Sequence, residues 1–429
     1  MILGFLLALQ TGAALPAADS VPRVTLDEAI QRAARLDPDY VRALGQVDNA
    51  EWGRRAALAV FILPSLTASI DATKFSTEFF NVGTGRPQSA SVNGAIQARY
   101  ELFSLRKFAD LGRTRAEAES AEAGELGQRF QTALLTEADY YDVLQNQELG
   151  RVADERVRRA EEALGLARAR VVSGAAVQSD SLQLTLELTQ AQVDRLRREA
   201  ALRVSRLQLG RRVGAAGPVD AAPLDTLPAP DLPVGLEEAV QLALTQGPQY
   251  RVARANERAA RSRLQGERGA FLPQLTVVGT HIRFDDSFFP SARKVSSVAL
   301  NISLPIWSDG RREIAMTQAR VNRDVARAIR EDLERSARRD VAQAYEAYLT
   351  AQATTSLSET AVVVARENYR IMQSRYRAGA TTILDVLDAQ LRLTQSEADL
   401  VQSRYATRLA LAGLEAILGH RLFSNRDVP

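Results

Sequence analysis

Apolar residues recur at alternating steps of three and four along two long stretches without proline, residues 107–172 and 310–377. This sustained seven-residue period predicts helices that pack side by side with a left-handed supercoil. As one helix, the first stretch would be about 99 Å long at 1.5 Å per residue, which exceeds a globular domain. The repeating positions of the second stretch are Val341, Ala344, Tyr348, Ala351, Thr355, Ser358, Val362, Ala365, Tyr369, Met372 and Tyr376. Their counterparts 205 residues earlier include Ala153, Val157, Ala160, Leu164, Ala167 and Val171.

Four shorter segments alternate between apolar and polar residues, which is the pattern of a β-strand with one apolar face. They lie at about residues 63–77, 90–104, 272–286 and 294–306. The third, LTVVGTHIRF, is the weakest because both of its faces are mixed. Each segment has about the ten residues that a tilted strand needs to cross a bilayer. Two amphipathic hairpins in a soluble sheet would show the same alternation.

Paired aromatic residues follow the first and third predicted strands, namely Phe79 with Phe80 and Phe288 with Phe289. Aromatic side chains of this kind are enriched where a protein meets the membrane–water interface. No stretch has the roughly 18 apolar residues of a membrane-spanning helix, so membrane insertion would use the strands. Four strands cannot close a barrel, and an open sheet edge cannot face lipid. Two chains would give eight strands and a filled interior, whereas three give twelve and leave a lumen, so a pore favours a trimer.

The chain contains an internal duplication. VTLDEAIQRAARLDPDY at 24–40 matches VGLEEAVQLALTQGPQY at 234–250, and LPSLT at 63–67 matches LPQLT at 272–276. A proline-rich segment, 214–233, separates the two copies and predicts an extended linker. We therefore expect a first repeat at 19–213 with a helical hairpin at 107–213. The second repeat is expected at 234–420, with a hairpin at 310–419 and a tail at 421–429.

The returning helices of the two hairpins share a predicted apolar seam. In the first copy it comprises Leu182, Leu186, Thr189, Val193, Leu196, Ala200, Arg203 and Leu207. In the second copy it comprises Leu387, Leu391, Thr394, Ala398, Val401, Tyr405, Arg408 and Ala412. A soluble coiled coil would show the same periodicity.

Residues 1–18 are expected to be a secretory signal peptide, because a short apolar core from Ile2 to Leu9 precedes a run of small residues. No basic residue precedes Arg23, which departs from the usual signal pattern. The 54 basic and 52 acidic residues balance, which gives no support for nucleic-acid binding. The absence of cysteine excludes disulfides and thiolate chemistry. The two histidines are far apart, and we expect neither a metal site nor a cofactor.

Each predicted hairpin turns at a similar polar sequence, SGAAVQSDSLQLT at 173–185 and AGATTILDVLDAQ at 378–390. Gly174 and Gly379 suit helix ends, since glycine adopts the left-handed conformation without a side-chain penalty. Asp180 and Asp385 fall in the next first turn, where a carboxylate offsets the helix dipole. Thr382 with Asp385 also forms a capping pattern.

Over nearly the whole chain, the sequence resembles the TolC-like outer-membrane efflux protein family. The resemblance is carried by YRAGATTILDVLDAQLRL at 376–393, its echo VVSGAAVQSDSLQL, the duplicated starts and strand entries, and LPIWSDGRR at 304–312. It implies a mainly α fold with transmembrane β-structure. Three chains would form a twelve-stranded outer-membrane barrel, four strands each, continuous with a periplasmic barrel of long helices. Such proteins are passive exit ducts for efflux or type I secretion, served by an inner-membrane pump and a periplasmic adaptor.

The resemblance also assigns expected roles to individual residues. It places Asp180, Tyr376, Asp385 and Asp388 at a closed periplasmic gate. Threefold symmetry would make the aspartates a cation-selective ring. It places the adaptor-docking turns at Gly174, Ala175, Gly379 and Ala380. The family often carries an arginine where Thr381 stands; Arg375 and Arg377 are candidates to substitute, and the sequence does not identify how the gate is latched.

Two other classes of protein compete with a duct. A periplasmic adaptor or coiled-coil scaffold also carries long hairpins beside β-structure. Adaptors usually have one hairpin per chain, however, and lack two pairs of ten-residue amphipathic strands. An enzyme is disfavoured because the sequence has no nucleophile elbow, no phosphate-binding glycine loop and no histidine paired with a carboxylate. The sequence does not identify the cargo.

Overall fold

A computed structural model of the chain describes residues 21–82, 85–224, 230–285 and 293–423. The signal-peptide prediction and Phe288 and Phe289 lie outside these ranges. In chain order the elements are β1 Arg23–Val24, α1 Leu26–Leu36, α2 Pro38–Ile62, β2 Ser65–Asn81, β3 Arg86–Phe103, α3 Leu105–Val172, α4 Gln178–Arg212, β4 Asp220–Ala221, α5 Leu236–Gln246, α6 Pro248–Gly269, β5 Gln274–Asp285, β6 Arg293–Ser303, α7 Arg311–Arg377 and α8 Ile383–Leu418.

The two long proline-free runs are continuous helices. α3 has 68 residues and α7 has 67, which corresponds to about 100 Å each at 1.5 Å per residue. All eleven α7 positions named from the heptad pattern are buried or half-buried, as are the six of α3. Among the described residues, no helix combines the length and apolar character needed to cross a membrane.

The long helices lie side by side in the order α4, α3, α8, α7. This arrangement separates the two returning helices. α8 packs between α3 and α7, and most of its predicted seam is covered. Among the long helices α4 packs mainly against α3, and it buries Leu184, Ala191 and Leu209 instead of the predicted stripe. Leu182, in that stripe, is 64% exposed. The predicted stripe of α4 is therefore exposed in the single chain, because the period defines a stripe but not its neighbour.

The strands β2, β3, β5 and β6 form one antiparallel sheet in that order, so β2 and β6 are its edges. The register gives the sheet two chemically different faces. One face carries mainly apolar residues, including Leu66, Ile70, Ala98, Ile96, Val277, Val298, Leu300 and Ile302. The other face carries mainly polar residues, including Thr67, Ser69, Asp71, Gln97, Arg99, Thr280, Ser297 and Asn301.

The described parts of the linker between the repeats lie against the helices. Its short strand β4 pairs in parallel with β1. The hydroxyl of Tyr140, on α3, donates to the carbonyl oxygens of Ala222 at 2.6 Å and Val24 at 3.3 Å. In the second repeat the Tyr345 hydroxyl of α7 similarly donates to the Val234 carbonyl at 3.2 Å. These contacts build two apolar cores midway along the helices.

Candidate functional site

The two hairpin turns have the same backbone geometry. Gly174 and Gly379 both have φ of +74°, the left-handed conformation. The amide of Gly174 donates to Val171 O at 3.0 Å, and that of Ala175 donates to Arg170 O at 2.8 Å. Gly379 and Ala380 repeat this pattern with Tyr376 O and Arg375 O. These paired bonds form a Schellman motif, which satisfies carbonyls at the helix end. A side chain at either glycine would be strained by its φ.

The two returning helices begin differently. In α8, the Asp385 carboxylate accepts from the Thr381 hydroxyl at 2.6 Å and the Thr382 hydroxyl at 2.8 Å. It also accepts from the Thr382 amide at 3.0 Å, completing a capping box. These hydrogen bonds hold the pKa of Asp385 below its usual value. In α4, no side chain caps the helix start at Val177, and Asp180 points elsewhere.

Asp180 connects the two hairpins through Tyr376. The Tyr376 hydroxyl donates to Asp180 Oδ2 at 3.2 Å, which joins the end of α7 to the start of α4. Only 4% of Tyr376 is exposed, within an apolar core that includes Leu164, Leu184 and Ile383. Burial raises the pKa of Tyr376, and the Asp180 charge and hydrogen bond raise it further. The neutral phenol is therefore the stable form in this packing.

Arg170, which the sequence analysis did not single out, also joins the hairpins. Its guanidinium lies 4.6 Å from the Tyr376 ring centre and donates to the Tyr376 carbonyl oxygen. It also donates to Ala175 O in its own turn at 3.1 Å. Arg375, one of the two expected substitutes at the gate, instead donates to its own turn at Ala380 O, at 3.5 Å. A basic residue in the last turn of a helix is common, so no local pattern indicated that Arg170 crosses to the other hairpin.

The remaining predicted gate residue, Asp388, is not part of this cross-hairpin contact. Its carboxylate accepts from Arg392 Nε at 2.7 Å on the same helix, and both side chains are mostly exposed. Within one chain the three aspartates therefore have three different environments. Asp180 bonds to the other hairpin, Asp385 caps its own helix, and Asp388 is paired with a neighbouring turn.

A partly buried ion pair and a side-chain hydrogen bond join the hairpins above the turns. Arg159 of α3 contacts Glu397 of α8 at 2.8 Å, with both side chains 14% exposed. Glu187 of α4 accepts from Arg156 at 3.0 Å and from Gln390 of α8 at 3.3 Å. Breaking one partner of such a pair leaves a poorly solvated charge, which is costly. These contacts extend the cross-hairpin packing beyond Tyr376.

At the end of the molecule opposite the hairpin turns, the two described interface aromatics, Phe79 and Phe80, lie near the outer end of β2. Phe79 packs against Phe75 with ring centres 4.3 Å apart, and Phe80 is exposed. Within the ranges that the structure describes, no group of three or more acidic or histidine side chains could hold a metal ion.

Comparison with known proteins agrees with this architecture. The family model for outer membrane efflux proteins matches residues 239–420. The pyoverdine export outer membrane protein OpmQ of Pseudomonas aeruginosa is 27% identical, covering 94% of this chain and 86% of OpmQ. The solvent efflux pump outer membrane protein SrpC of Pseudomonas putida is 26% identical, covering 88% of this chain and 81% of SrpC.

Solved structures share the fold. CusC superimposes with a TM-score of 0.80 at 18% identity, covering 92% of each chain. The outer membrane protein VceC from Vibrio cholerae gives 0.77 at 20% identity, covering 93% of this chain and 97% of VceC. In sequence over residues 239–420 and in fold over nearly its whole length, the chain is similar to the TolC-like outer membrane efflux proteins, which lie in the outer membrane and extend into the periplasm.

Proposed function

We propose that three copies of this chain form the outer-membrane exit duct of a tripartite efflux system. One observation carries the proposal. A single chain contains both an open four-stranded sheet, apolar on one face, and two continuous helices of about 100 Å each. Neither part is complete alone. The sheet leaves β2 and β6 unpaired on one side each, and lipid does not tolerate open edges. Three sheets joined edge to edge give twelve strands and an aqueous lumen.

The exposed faces of the outermost helices support the same assembly. α4 exposes its predicted stripe, and α7 exposes Leu357, Val364 and Ile371, which are spaced seven residues apart. Exposed apolar stripes of this length mark interaction surfaces. Because α4 and α7 lie at opposite sides of the helix layer, α4 of one copy would pack on α7 of the next. This arrangement closes a helical tube by the same rotation that closes the barrel.

The gate is proposed to lie at the hairpin turns. Asp180, Tyr376 and Arg170 would hold the inner hairpin, α7 with α8, against the outer hairpin, α3 with α4. Asp385 and Asp388, both exposed, would line the mouth, where threefold symmetry triples each charge. The gate opens when the inner hairpin moves away from the outer one.

The turn residues Gly174, Ala175, Gly379 and Ala380 are all exposed at the tips of the hairpins. We propose that a periplasmic adaptor docks on these turns and that an inner-membrane pump supplies energy. The relatives reported above are named for pyoverdine export and solvent efflux, so small organic molecules are the proposed cargo.

Membrane fractionation separates this proposal from an adaptor or scaffold function. The duct is expected in the outer-membrane fraction and should give ion-conducting channels in planar bilayers. Recovery with the inner membrane, or a soluble rod without conductance, would favour the adaptor.

A further inference from the structure

One corner of the apolar sheet face is polar. In the register of β5 and β6, Arg283 lies opposite Lys294, and His281 lies opposite Ser296. The next three rows on this face are small or apolar, pairing Gly279 with Val298, Val277 with Leu300 and Leu275 with Ile302. This corner explains why the third predicted strand lacked clean alternation. His281 and Arg283 share a face with the apolar Val277, and the apolar Val278 and Ile282 share the opposite face with Thr276 and Thr280.

These residues point outward from the barrel. Through the sheet register, Arg283 aligns with Gly94 and Ile70, and His281 aligns with Ile96 and Ala68. Ile70 and Ile96 belong to the apolar face. Directly behind the corner the opposite face carries Ile282 and Val295, whereas its rows below carry polar residues such as Gln97, Thr280 and Ser297, as expected in an aqueous lumen. The corner is therefore part of the surface that meets lipid.

Two cations stand side by side in this corner. Residues opposite each other in an antiparallel pair have Cβ atoms about 4.5–5.5 Å apart, and like charges in such pairs are destabilising. Arg283 and Lys294 are both exposed. Among the described side chains, which do not include that of Asp285, neither forms an ion pair. Among the side chains that the structure describes, this corner of the surface holds two cations and no anion.

The height of the pair places it at the headgroup level. β5 and β6 begin and end at helices on the periplasmic side, so residues 285 and 293 mark their outer ends. Arg283 and Leu275 are about 27 Å apart along the strand at 3.4 Å per residue. A tilt of about 40° makes this about 20 Å of height, close to the roughly 25 Å apolar band of such barrels. The cations therefore lie at the outer edge of the apolar band.

We propose that Arg283 and Lys294 bind the phosphate of an anionic lipid headgroup in the outer leaflet. Arginine offers a planar fork to phosphate oxygens and lysine offers a compact charge. His281 Nδ1 and Ser296 Oγ, 2.8 Å apart, lie one row below and add hydrogen-bonding groups. The proposal rests on the outer-membrane location and is independent of the gate and the cargo.

Native mass spectrometry of the purified trimer with bis-phosphorylated lipid A tests this site. The variant R283Q/K294Q should retain roughly 30-fold less lipid, since each surface cation contributes roughly a factor of five. The charge-retaining variant R283K/K294R should bind nearly normally. Arg99→Gln removes a cation from the opposite, polar face and should change nothing.

The wild-type protein provides a test that does not depend on a variant folding. It should bind dephosphorylated lipid A much more weakly than the phosphorylated form, and excess inorganic phosphate should not displace the lipid. Equal retention by R283Q/K294Q, equal binding of the dephosphorylated lipid, or full displacement by inorganic phosphate would each overturn the site. Conductance of the same preparations tests the duct separately, and R283Q/K294Q should conduct as wild type does.

Discussion

The Tyr376 hydroxyl donates a hydrogen bond to the Asp180 carboxylate across 3.2 Å, and this bond joins the two hairpins of one chain at their inner ends. In a trimer the contact occurs three times around the mouth. A hydrogen bond to a charged group contributes roughly 1.5–3 kcal/mol, so three bonds are sufficient to shift a closed–open equilibrium strongly.

Removing this bond should open the channel. We expect Tyr376→Phe and Asp180→Asn each to raise single-channel open probability in planar bilayers by at least about tenfold, given the roughly 1.5 kcal/mol per subunit involved. Tyr369→Phe is a matched control. Tyr369 is buried one heptad earlier in the same seam, and its hydroxyl has no hydrogen-bond partner among the described residues. Equal effects of Tyr376→Phe and Tyr369→Phe would mean that packing, not the bond to Asp180, holds the gate.

Arg170 should matter for its shape as well as its charge. Arg170→Lys keeps the cation but loses the planar group that stacks on Tyr376 and reaches two carbonyl oxygens. We expect Arg170→Lys and Arg170→Gln both to raise conductance, with Gln having the larger effect. Arg168→Gln removes an exposed arginine two residues away and should leave conductance unchanged. Wild-type conductance in Arg170→Gln would remove this residue from the gate.

The gate should respond to alkaline pH. The pKa of Tyr376 in the closed packing lies above its ordinary 10.0, because burial and the nearby Asp180 charge disfavour the phenolate. Its stabilising contribution is therefore fully present below about pH 10 and is lost as pH rises through the raised pKa. Open probability should rise above about pH 10, and Tyr376→Phe should abolish that rise. A rise of the same size in Tyr376→Phe would assign it to another group.

The exposed aspartates at the mouth should set ion selectivity. The double variant D385A/D388A should shift the reversal potential in a salt gradient toward zero, because it removes six carboxylates from the trimer. Asp399→Ala, further along α8 where Asp399 accepts from Gln395 at 2.8 Å, is the control. Loss of Asp385 also removes the capping box at the start of α8, so trimer stability should be measured in parallel. An unchanged reversal potential in D385A/D388A would show that Asp385 and Asp388 do not determine ion selectivity.

Binding of the adaptor should be sensitive to substitutions at the two turn glycines. Replacing Gly174 and Gly379 with tryptophan introduces both bulk and strain at a φ of +74°. We expect site-specific cross-linking to the adaptor, and efflux, to be lost while the trimer remains intact. Gly165→Trp places the same bulk within α3, at a glycine where an added Cβ would meet no neighbouring atom within 4 Å, and should preserve both. Full efflux by the turn variant would contradict docking at these residues.

The sequence predicted those parts of the fold that depend on a regular repeat of apolar residues along one helix. The α7 seam from Val341 to Tyr376 is covered throughout, because its residues repeat every seven positions and face one neighbour. The period likewise predicts the α4 stripe, which includes Leu182, but it does not identify which helix covers that stripe. That stripe is left for another copy of the chain.

Only part of the candidate site could be predicted from the sequence. The glycine turns and the Thr382–Asp385 cap depend on residues close together in the chain, and the structure contains both. Arg170 and Tyr376 are 206 residues apart, and their contact depends on how two hairpins pack. The mixed third strand likewise became interpretable only when its register placed Arg283 opposite Lys294.

The most direct test of the duct is the mass of the detergent-solubilised protein, measured by light scattering with the detergent contribution subtracted. We expect about three times the mass of one chain, and the full sequence of one chain has a mass of 46.9 kDa. A monodisperse monomer that remains stable in detergent would contradict the account, because one four-stranded sheet cannot seal itself against lipid.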